Sequence, residues 1–296
     1  MSERRKTRVT IGMPVFNGEK TVAAVIESLL QQTFADFQLI ISDNASTDAT
    51  SEICSVFARQ DSRIRYIRQA INLGAEANFD YVLQEADCEY FMWAAADDMR
   101  SRDFLALCVD LLDKKSDYVG ATCPTRFEGM EPDPIRMGDR TLCDEDANEN
   151  IIKFFEDWHA NGRFYSLFRR KELGFWLHQS KHYLGADWAL IVQLLKVGKF
   201  RRLDSGHVEL GRHGASNQLN IFSRYRSGTL QWIVPFLDLS RIAMNSLQTA
   251  NNRQKFLLVR RLCRLNLRAA RTQIRHEAKL KLLRIQRSVK TLWRHA

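Results

Sequence analysis

Two adjacent carboxylates, Asp97 and Asp98, end an apolar run that reads Tyr90-Phe-Met-Trp-Ala-Ala-Ala. A carboxylate pair in such a place can hold a hard divalent cation, because Mg²⁺ takes one or two protein carboxylates and fills its shell with water and phosphate oxygens. The same dipeptide also serves as a solvated turn with a helix cap, and the residues alone leave both readings open. Upstream, Ser42-Asp-Asn-Ala-Ser-Thr-Asp48 gathers further carboxylate and amide groups in seven residues. A lone carboxylate at Asp43 can hydrogen-bond a base or a ribose, or it can close its own turn as an Asx motif.

Other chemistries are excluded by what the chain lacks. No Gly-x-Gly-x-x-Gly opens a helix after a strand, no Gly-Lys-Ser/Thr forms a phosphate loop, and no Gly-x-Ser-x-Gly supplies a nucleophile elbow. The six cysteines stand at irregular spacings without Cys-x-x-Cys, which excludes a recognisable zinc site and suits reduced thiols in a cytosolic protein.

The elements that must position the carboxylates follow from periodicity. Tyr90 to Trp93 is apolar without a break, as in a strand buried on both faces of a sheet. Val9 to Met13, Leu39 to Ile41 and Ile64 to Ile67 read as three earlier strands. Between them, helical spacing predicts a helix from about Glu19 to Gln32, a second one capped by Thr47, and a third after Asn72-Leu-Gly74. Strand and helix alternating four times argue βαβ units and a parallel sheet with right-handed crossovers. The loops at Pro14 to Gly18, Ser42 to Thr47, Asn72 to Gly74 and Asp97-Asp98 then share the carboxyl edge of that sheet, where open α/β sheets bind ligands.

A fourth helix (Phe104 to Leu112) and a fifth strand (Tyr118 to Thr122) follow. Phe127 to Asn150 loses periodicity and carries Pro132, Pro134 and acids that include those at 139, 144, 145, 146 and 149, so it reads as a long surface loop or lid. Phe164 to Phe168 reads as a strand, Asp187 to Val197 as a helix closed by Gly198, and Leu203 to Leu210 as a last strand or hairpin.

Pro14-Val-Phe-Asn-Gly, Ser42-Asp-Asn-Ala-Ser-Thr-Asp, Asn72-Leu-Gly, Trp93-Ala-Ala-Ala-Asp-Asp and Gly185-Ala-Asp-Trp, in that order, resemble the motifs of the family 2 glycosyltransferases with the GT-A fold. The resemblance covers roughly Val9 to Asn217. It implies a mostly parallel central sheet flanked by helices in residues 1–220, with a helical C-terminal region in 221–296. It also implies transfer of a sugar, with inversion, from a UDP, GDP or dTDP donor to a glycan or lipid-linked acceptor in cell-surface polysaccharide or lipopolysaccharide assembly. Under it, Pro14, Phe16 and Asn17 border the base, Asp43 contacts the base, and Asn72 belongs to the nucleotide site. Asp97 faces the ribose or donor sugar, Asp98 binds Mg²⁺ or Mn²⁺, and Asp187 is the catalytic base. His213, in Arg212-His-Gly-Ala-Ser216, contacts the diphosphate or completes the metal shell, or is a surface loop histidine.

The chemistry fits that assignment. A metal ion supplies positive charge to a diphosphate leaving group, and direct displacement needs one base at the acceptor hydroxyl. Asp187 begins a helix, where the macrodipole favours its ionised form; the alternative role there is an N-cap. The family's metal motif has a carboxylate two positions before the ligand, and this chain has Ala96 instead. That departure keeps a non-catalytic nucleotide-sugar-binding or scaffold protein as the runner-up. A nucleotidyltransferase ranks last for want of a glycine- and lysine-rich first loop.

At 296 residues the chain is long enough for one large α/β domain with an appendage. Its net charge of +9 is unevenly placed: residues 251–296 hold 14 Lys and Arg against one acid, Glu277, leaving 30 bases and 34 acids in the first 250 residues. In that tail Phe256, Val259, Cys263, Leu267, Ala270, Ile274, Ala278, Leu282, Ile285, Val289 and Leu292 recur every three or four residues among arginines and lysines. This is a basic amphipathic helix, either lying on a membrane interface or packing its stripe on the body. Aromatics are too few there for nucleic-acid binding. The charged start and short first apolar run predict no signal peptide, and no run reaches the ~20 apolar residues of a spanning helix. The expected location is cytoplasmic, peripheral on the inner face of the membrane.

Overall fold

The computed structural model describes residues 7–211 and 219–294. Four strands, β1 (Val9–Val15), β2 (Phe37–Asp43), β3 (Ile64–Arg68) and β4 (Tyr90–Trp93), alternate with α1 (Val22–Leu30), α2 (Thr50–Gln60) and α3 (Ala75–Gln84). They pair in parallel in the order β3-β2-β1-β4. After β4 the chain makes the two-residue strand β5 (Met99–Arg100), then α4 (Phe104–Lys114), β6 (Tyr118–Thr122) and β7 (Thr125–Phe127). Next come α5 (Pro134–Met137), α6 (Ala147–Phe154), β8 (Leu167–Arg169), α7 (Ala186–Leu194), β9 (Lys199–Arg202) and β10 (Val208–Leu210). The chain ends in α8 (Ile221–Tyr225), α9 (Leu237–Ser246) and the 43-residue α10 (Asn252–Arg294).

β8 enters the main sheet antiparallel between β4 and β6, and β9 closes the far edge beside β6, giving seven strands. β5, β10 and β7 form a separate three-stranded sheet. Side chains along the strands alternate between two cores. Val9, Ile11, Met13, Tyr90 and Met92 face α1 and α4; Ile40, Phe91 and Trp93 face α3 and α7. Both faces are covered, which is why these strands read as unbroken apolar runs.

Several expectations are corrected. Pro14 is not in the first loop: it is buried in β1, paired with Ser42, and the loop runs from Phe16 to Thr21. Thr47 does not cap α2. Its amide donates to Asn17 Oδ1, and the Asp48 carboxylate takes the Thr50 amide at the helix start instead. Residues 127–150 are not an open loop, for Met137, Asp139 and Leu142 are buried, and Asp133 and Asp146 each cap a helix within the segment. The predicted strand at Phe164 begins as a 3₁₀ turn, Gly162–Tyr165, and of the last predicted strand, Leu203 to Leu210, only Val208–Leu210 is a strand, β10 of the three-stranded sheet.

The C-terminal helices pack into the same core as α7. Leu258, Leu262, Leu265 and Ala269 of α10 are buried with Phe236 and Leu239. This overturns the reading in which the sequence stripe packs on the body, since Phe256, Leu267, Ile274 and Leu282 of that stripe are each more than half exposed. No helix among the described residues is long and apolar enough to cross a membrane.

Close approach of β1 to α3 requires a glycine. A Cβ on Gly12 would lie 2.7 Å from Val82 Cγ2 and 2.8 Å from the Phe91 ring. Overpacking of this kind costs about 1–3 kcal/mol, so Gly12→Ala is expected to lower the unfolding free energy by that amount in a urea titration; an unchanged midpoint would refute so tight a β1–α3 contact.

Candidate active site

The loops after β1, β2, β3 and β4 meet at one edge of the sheet and are tied to one another by side chains. Asn17, with φ 52°, donates its amide to Ser46 Oγ and accepts from Thr47 N through Oδ1, joining the first loop to the second. Gly18 donates to Thr50 Oγ1. A Cβ on Gly18 would stand 3.6 Å from that of Ala96, so the first loop also borders the fourth. Asn44 donates to Asn72 Oδ1 and to the Gly74 carbonyl while accepting from Leu73 N, binding the second loop to the third. Phe16, Asn17 and Asn72 are exposed on this edge, whereas Pro14 lies beneath it.

Asp43 is wholly buried. Oδ1 accepts the Ser46 amide, closing an Asx-type turn, and Oδ2 accepts the Tyr66 hydroxyl at 2.9 Å, with Arg68 Nε 3.8 Å away. The turn-closing role is therefore present. A carboxylate has about four acceptor sites, so a contact to a base is compatible with these partners.

The fourth loop carries the paired carboxylates. Trp93, the last residue of β4, is fully buried, donates Nε1 to the Phe79 carbonyl and stacks on Phe164 at 4.9 Å between ring centroids and 11° between planes. This stack anchors the start of the turn. Asp98 points inward and is nearly inaccessible; Oδ1 accepts the Gly211 amide at 3.0 Å, and Oδ2 is buried without a hydrogen-bond partner among the described residues. Burial pushes its carboxyl up to about 7, with Asp97 adding to the rise while Arg100 and the Gly211 amide oppose it. Asp97 is half-exposed, and Gly211 lies so close that a Cβ there would be 2.2 Å from the Asp97 carboxylate. Arg100 is buried beside them and donates to the Trp93 carbonyl; its Nε and Nη1 have no partners.

Asp187 sits in the first turn of α7, after Gly185 in the left-handed region (φ 84°). The residue capping the helix is Gly185, so Asp187 is free of the N-cap role. Its Oδ2 accepts from Asn161 Nδ2 at 3.0 Å. Burial raises its carboxyl above the ordinary range, opposed by Asn161 and by the backbone amides of the helix start. The Tyr165 hydroxyl is held well above its usual value by burial first and then by the charges of Asp98, Asp97 and Asp187. One phenol thus lies within the field of all three carboxylates, and the β4 loop and the start of α7 face a common region.

His213 lies outside the described residues. Among those described, no group of three His, Cys, Asp or Glu encloses a cation. The buried, unpartnered Oδ2 of Asp98 fits a site that shares a hard cation with phosphate oxygens, where two protein carboxylates suffice. Sequence reasoning missed Tyr165, Asn161 and Arg100. None carries a motif, and each becomes visible only when β8 is inserted beside β4.

A model of glycosyl transferase family 2 matches residues 10–191, more than half of the chain. Abequosyltransferase RfbV of Salmonella typhimurium is 31% identical over 136 residues, 45% of this chain and 40% of that protein. Glycosyltransferase GlyG of Streptococcus pneumoniae is 29% identical over 112 residues, 38% and 37% of the two. The chain thus spans less than half the length of these curated relatives. Among solved structures, residues 1–349 of S. aureus TarS in complex with UDP-GlcNAc match with a TM-score of 0.64 at 15% identity, over 86% of this chain and 71% of that one. The mannosyltransferase PcManGT from Pyrobaculum calidifontis, in complex with GDP-Man and Mn²⁺, matches with a TM-score of 0.61 at 15% identity, over 97% and 81%. The architecture is the GT-A fold, and with the family model running from β1 into α7, the chain belongs to glycosyl transferase family 2.

Proposed function

We propose that this chain is an inverting glycosyltransferase that moves a sugar from a nucleoside-diphosphate donor to a glycan or lipid-linked acceptor of a cell-surface polysaccharide. The observation that carries the reading is the link between the two halves of the site: Trp93, at the start of the turn to Asp97 and Asp98, stacks on Phe164 of the 3₁₀ turn that follows Asn161, and Asn161 donates to Asp187. Asp187 takes the proton of the acceptor hydroxyl as its oxygen forms a bond to the anomeric carbon. The bond from that carbon to the diphosphate breaks on the opposite face, and its electron pair leaves with the nucleoside diphosphate. A base whose pKa burial has raised is better matched to an alcohol than an ordinary carboxylate is.

Asp98, with Asp97 beside it, is the set of residues that would hold Mg²⁺ or Mn²⁺, and the ion would supply positive charge at the departing diphosphate. Phe16, Asn17, Asp43 and Asn72 line or shape the nucleotide end of the edge. UDP and GDP donors are favoured because TarS and PcManGT are solved with UDP-GlcNAc and GDP-Man. Ala96 leaves the cation with fewer protein ligands than the family motif provides.

Asp187→Asn is expected to reduce turnover about 10²–10⁴-fold while UDP or GDP with Mn²⁺ still raises the melting temperature. Nucleoside diphosphate release from UDP- and GDP-sugars is the measurement; full activity in this variant removes the proposed base, and nucleotide binding without turnover in the wild type identifies a binder instead. The carboxylate must be ionised to act, so activity falls as pH drops through a value above the ordinary carboxylate range. Asp98→Ala is expected to abolish the Mn²⁺-dependent part of the thermal shift.

The same reading places the enzyme at an anionic membrane surface through α10. That helix docks on the body by Leu258, Leu262, Leu265 and Ala269, with Gln254 and Gln273 bonded to Asp146 and the Trp232 carbonyl. A separate stripe (Phe256, Val259, Leu267, Ile274, Leu282) remains exposed between Arg260, Arg264, Arg268, Arg271 and Arg275. Each basic residue near an anionic leaflet contributes about 1 kcal/mol. The protein is expected to sediment with phosphatidylglycerol vesicles, less so as salt rises, and not with pure phosphatidylcholine vesicles. Leu267→Glu with Ile274→Glu should abolish sedimentation without lowering the melting temperature; a wild type that ignores the anionic vesicles, or that buries the stripe in a stable dimer, refutes the membrane seat.

A further inference from the structure

The segment Phe154 to Tyr165 is built to aim one side chain at Asp187. His159 stacks on Trp188, the residue after Asp187, at 3.9 Å and 9°. On its other side lies Gly138, where a Cβ would meet the ring at 2.2 Å. The Asn161 amide donates to His159 Nδ1 at 3.0 Å, so that nitrogen carries no proton. Nε2 is then the protonated one, and it donates to the Phe154 carbonyl at 3.1 Å. Burial and the nearby Arg163 and Arg140 guanidiniums hold the imidazole neutral, its pKa down to about 3. The histidine is a fixed, uncharged bracket.

What the bracket holds is strained. Asn161 has φ 53°, a left-handed conformation that costs a non-glycine residue free energy unless its surroundings impose it. Its Oδ1 is buried and has no partner among the described residues, while Nδ2 reaches Asp187 Oδ2 at 3.0 Å. A glycine would relieve the backbone and leave no orphaned oxygen. The strain and the orphan are tolerated at one place, beside the proposed base.

We propose that Asn161 is a positioning residue for Asp187, fixing the plane of its carboxylate and holding its ionised form in a desolvated site. The inference rests on the reading of Asp187 as the base. Supporting groups on the base from a second element, as the 3₁₀ turn does here, is what keeps a catalytic carboxylate within the narrow geometry proton transfer requires. The other ionisable side chains that feel Asp187 are the phenols of Tyr165 on the same turn, Tyr183 before α7 and Tyr225 on α8; burial raises all three, so they stay neutral where the carboxylate titrates. His159 also stays neutral there. Asp98, which acts on the same Tyr165 phenol, also titrates above the ordinary carboxylate range, so the Asp187 signal is isolated by subtracting the Asp187→Asn spectrum.

The test is Asn161→Gly, which keeps the left-handed turn at no backbone cost. Difference infrared titration of the protonated carboxyl band, wild type minus Asp187→Asn, gives the midpoint of Asp187 without any substrate. Removing a hydrogen bond to the ionised form is expected to raise that midpoint by about one unit, with an undiminished melting temperature, and Asn161→Asp should raise it further through like charge. The acid limb of turnover with UDP- or GDP-sugars moves with it, and kcat falls about tenfold while the donor KM stays constant. An unmoved midpoint in Asn161→Gly overturns the positioning role even if Asp187→Asn is inactive. A moved midpoint in Asn161→Gly together with full turnover in Asp187→Asn would leave the contact real and remove the base assignment instead.

Discussion

Negative charge held in a poorly solvated place is the constraint from which the rest of this structure follows. Burying an isolated carboxylate is costly, and the group ordinarily takes up a proton to escape the cost. Asp98 does so until about pH 7, and Asp187 is displaced in the same direction. Arg100 offsets part of the charge, yet it is itself buried with two nitrogens unpartnered. The pocket is thus polar, strained and acidic, which suits a site completed by a cation and a phosphate better than one that exists for stability.

Such a site needs a rigid frame. The carboxyl edge of the parallel strands supplies it for Asp43, the last residue of β2, and for Asp98 in the loop beyond β4, and both strands are paired on both sides. Asp187 comes from a helix a hundred residues later and has no place on that edge. The connection runs through aromatic packing: Trp93 at the end of β4 stacks on Phe164, Phe164 meets Tyr165 edge-on at 5.3 Å, and the same 3₁₀ turn begins at Asn161, which holds Asp187. Aromatic pairs of this geometry contribute about 0.5–1.5 kcal/mol beyond their area. They also give the two halves of the site a continuous packed contact. At the other side, Gly211 returns from β10 to lie against Asp97 and donate to Asp98.

This division explains what the sequence could be made to yield. The parallel half was legible because burial on both faces writes itself as apolar runs, and because the polar residues after each run, Asn17, Asp43, Asn72, Asp97 and Asp98, fall at one edge by topology alone. The second half was not. β5, β7, β8 and β10 are two or three residues long, too short for any period, and their pairing is set by tertiary contacts across as many as a hundred positions. The segment 127–150 looked loose because its apolar residues are sparse, yet Asp133, Asp146 and Asn150 spend their side chains on local backbone and pin it down. Asn161 and His159 were invisible for the same reason: their roles lie in the contacts to Asp187 and Trp188, partners that the chain brings together only when folded.

The tail carries the same lesson about faces. A helix with one apolar stripe must choose between the protein and another surface, but α10 has two. The residues buried against α6 and α9 and those left exposed are offset by one to two positions, roughly 100–200° around the axis. Periodicity of three or four is satisfied by either set, so spacing could not say which one packs. Charge says more. The acid of the tail, Glu277, turns inward to pair with Arg226 at 3.1 Å, itself seated on the Trp232 ring. The exposed face between residues 256 and 283 is left with apolar and basic side chains, a combination that costs solubility unless an anionic, apolar surface is there to receive it. An acidic catalytic body and a basic outer helix are then two parts of one electrostatic arrangement. Under the proposed membrane seat, the first would be repelled by such a surface and the second drawn to it, so the helix would set which way the rest of the molecule faces.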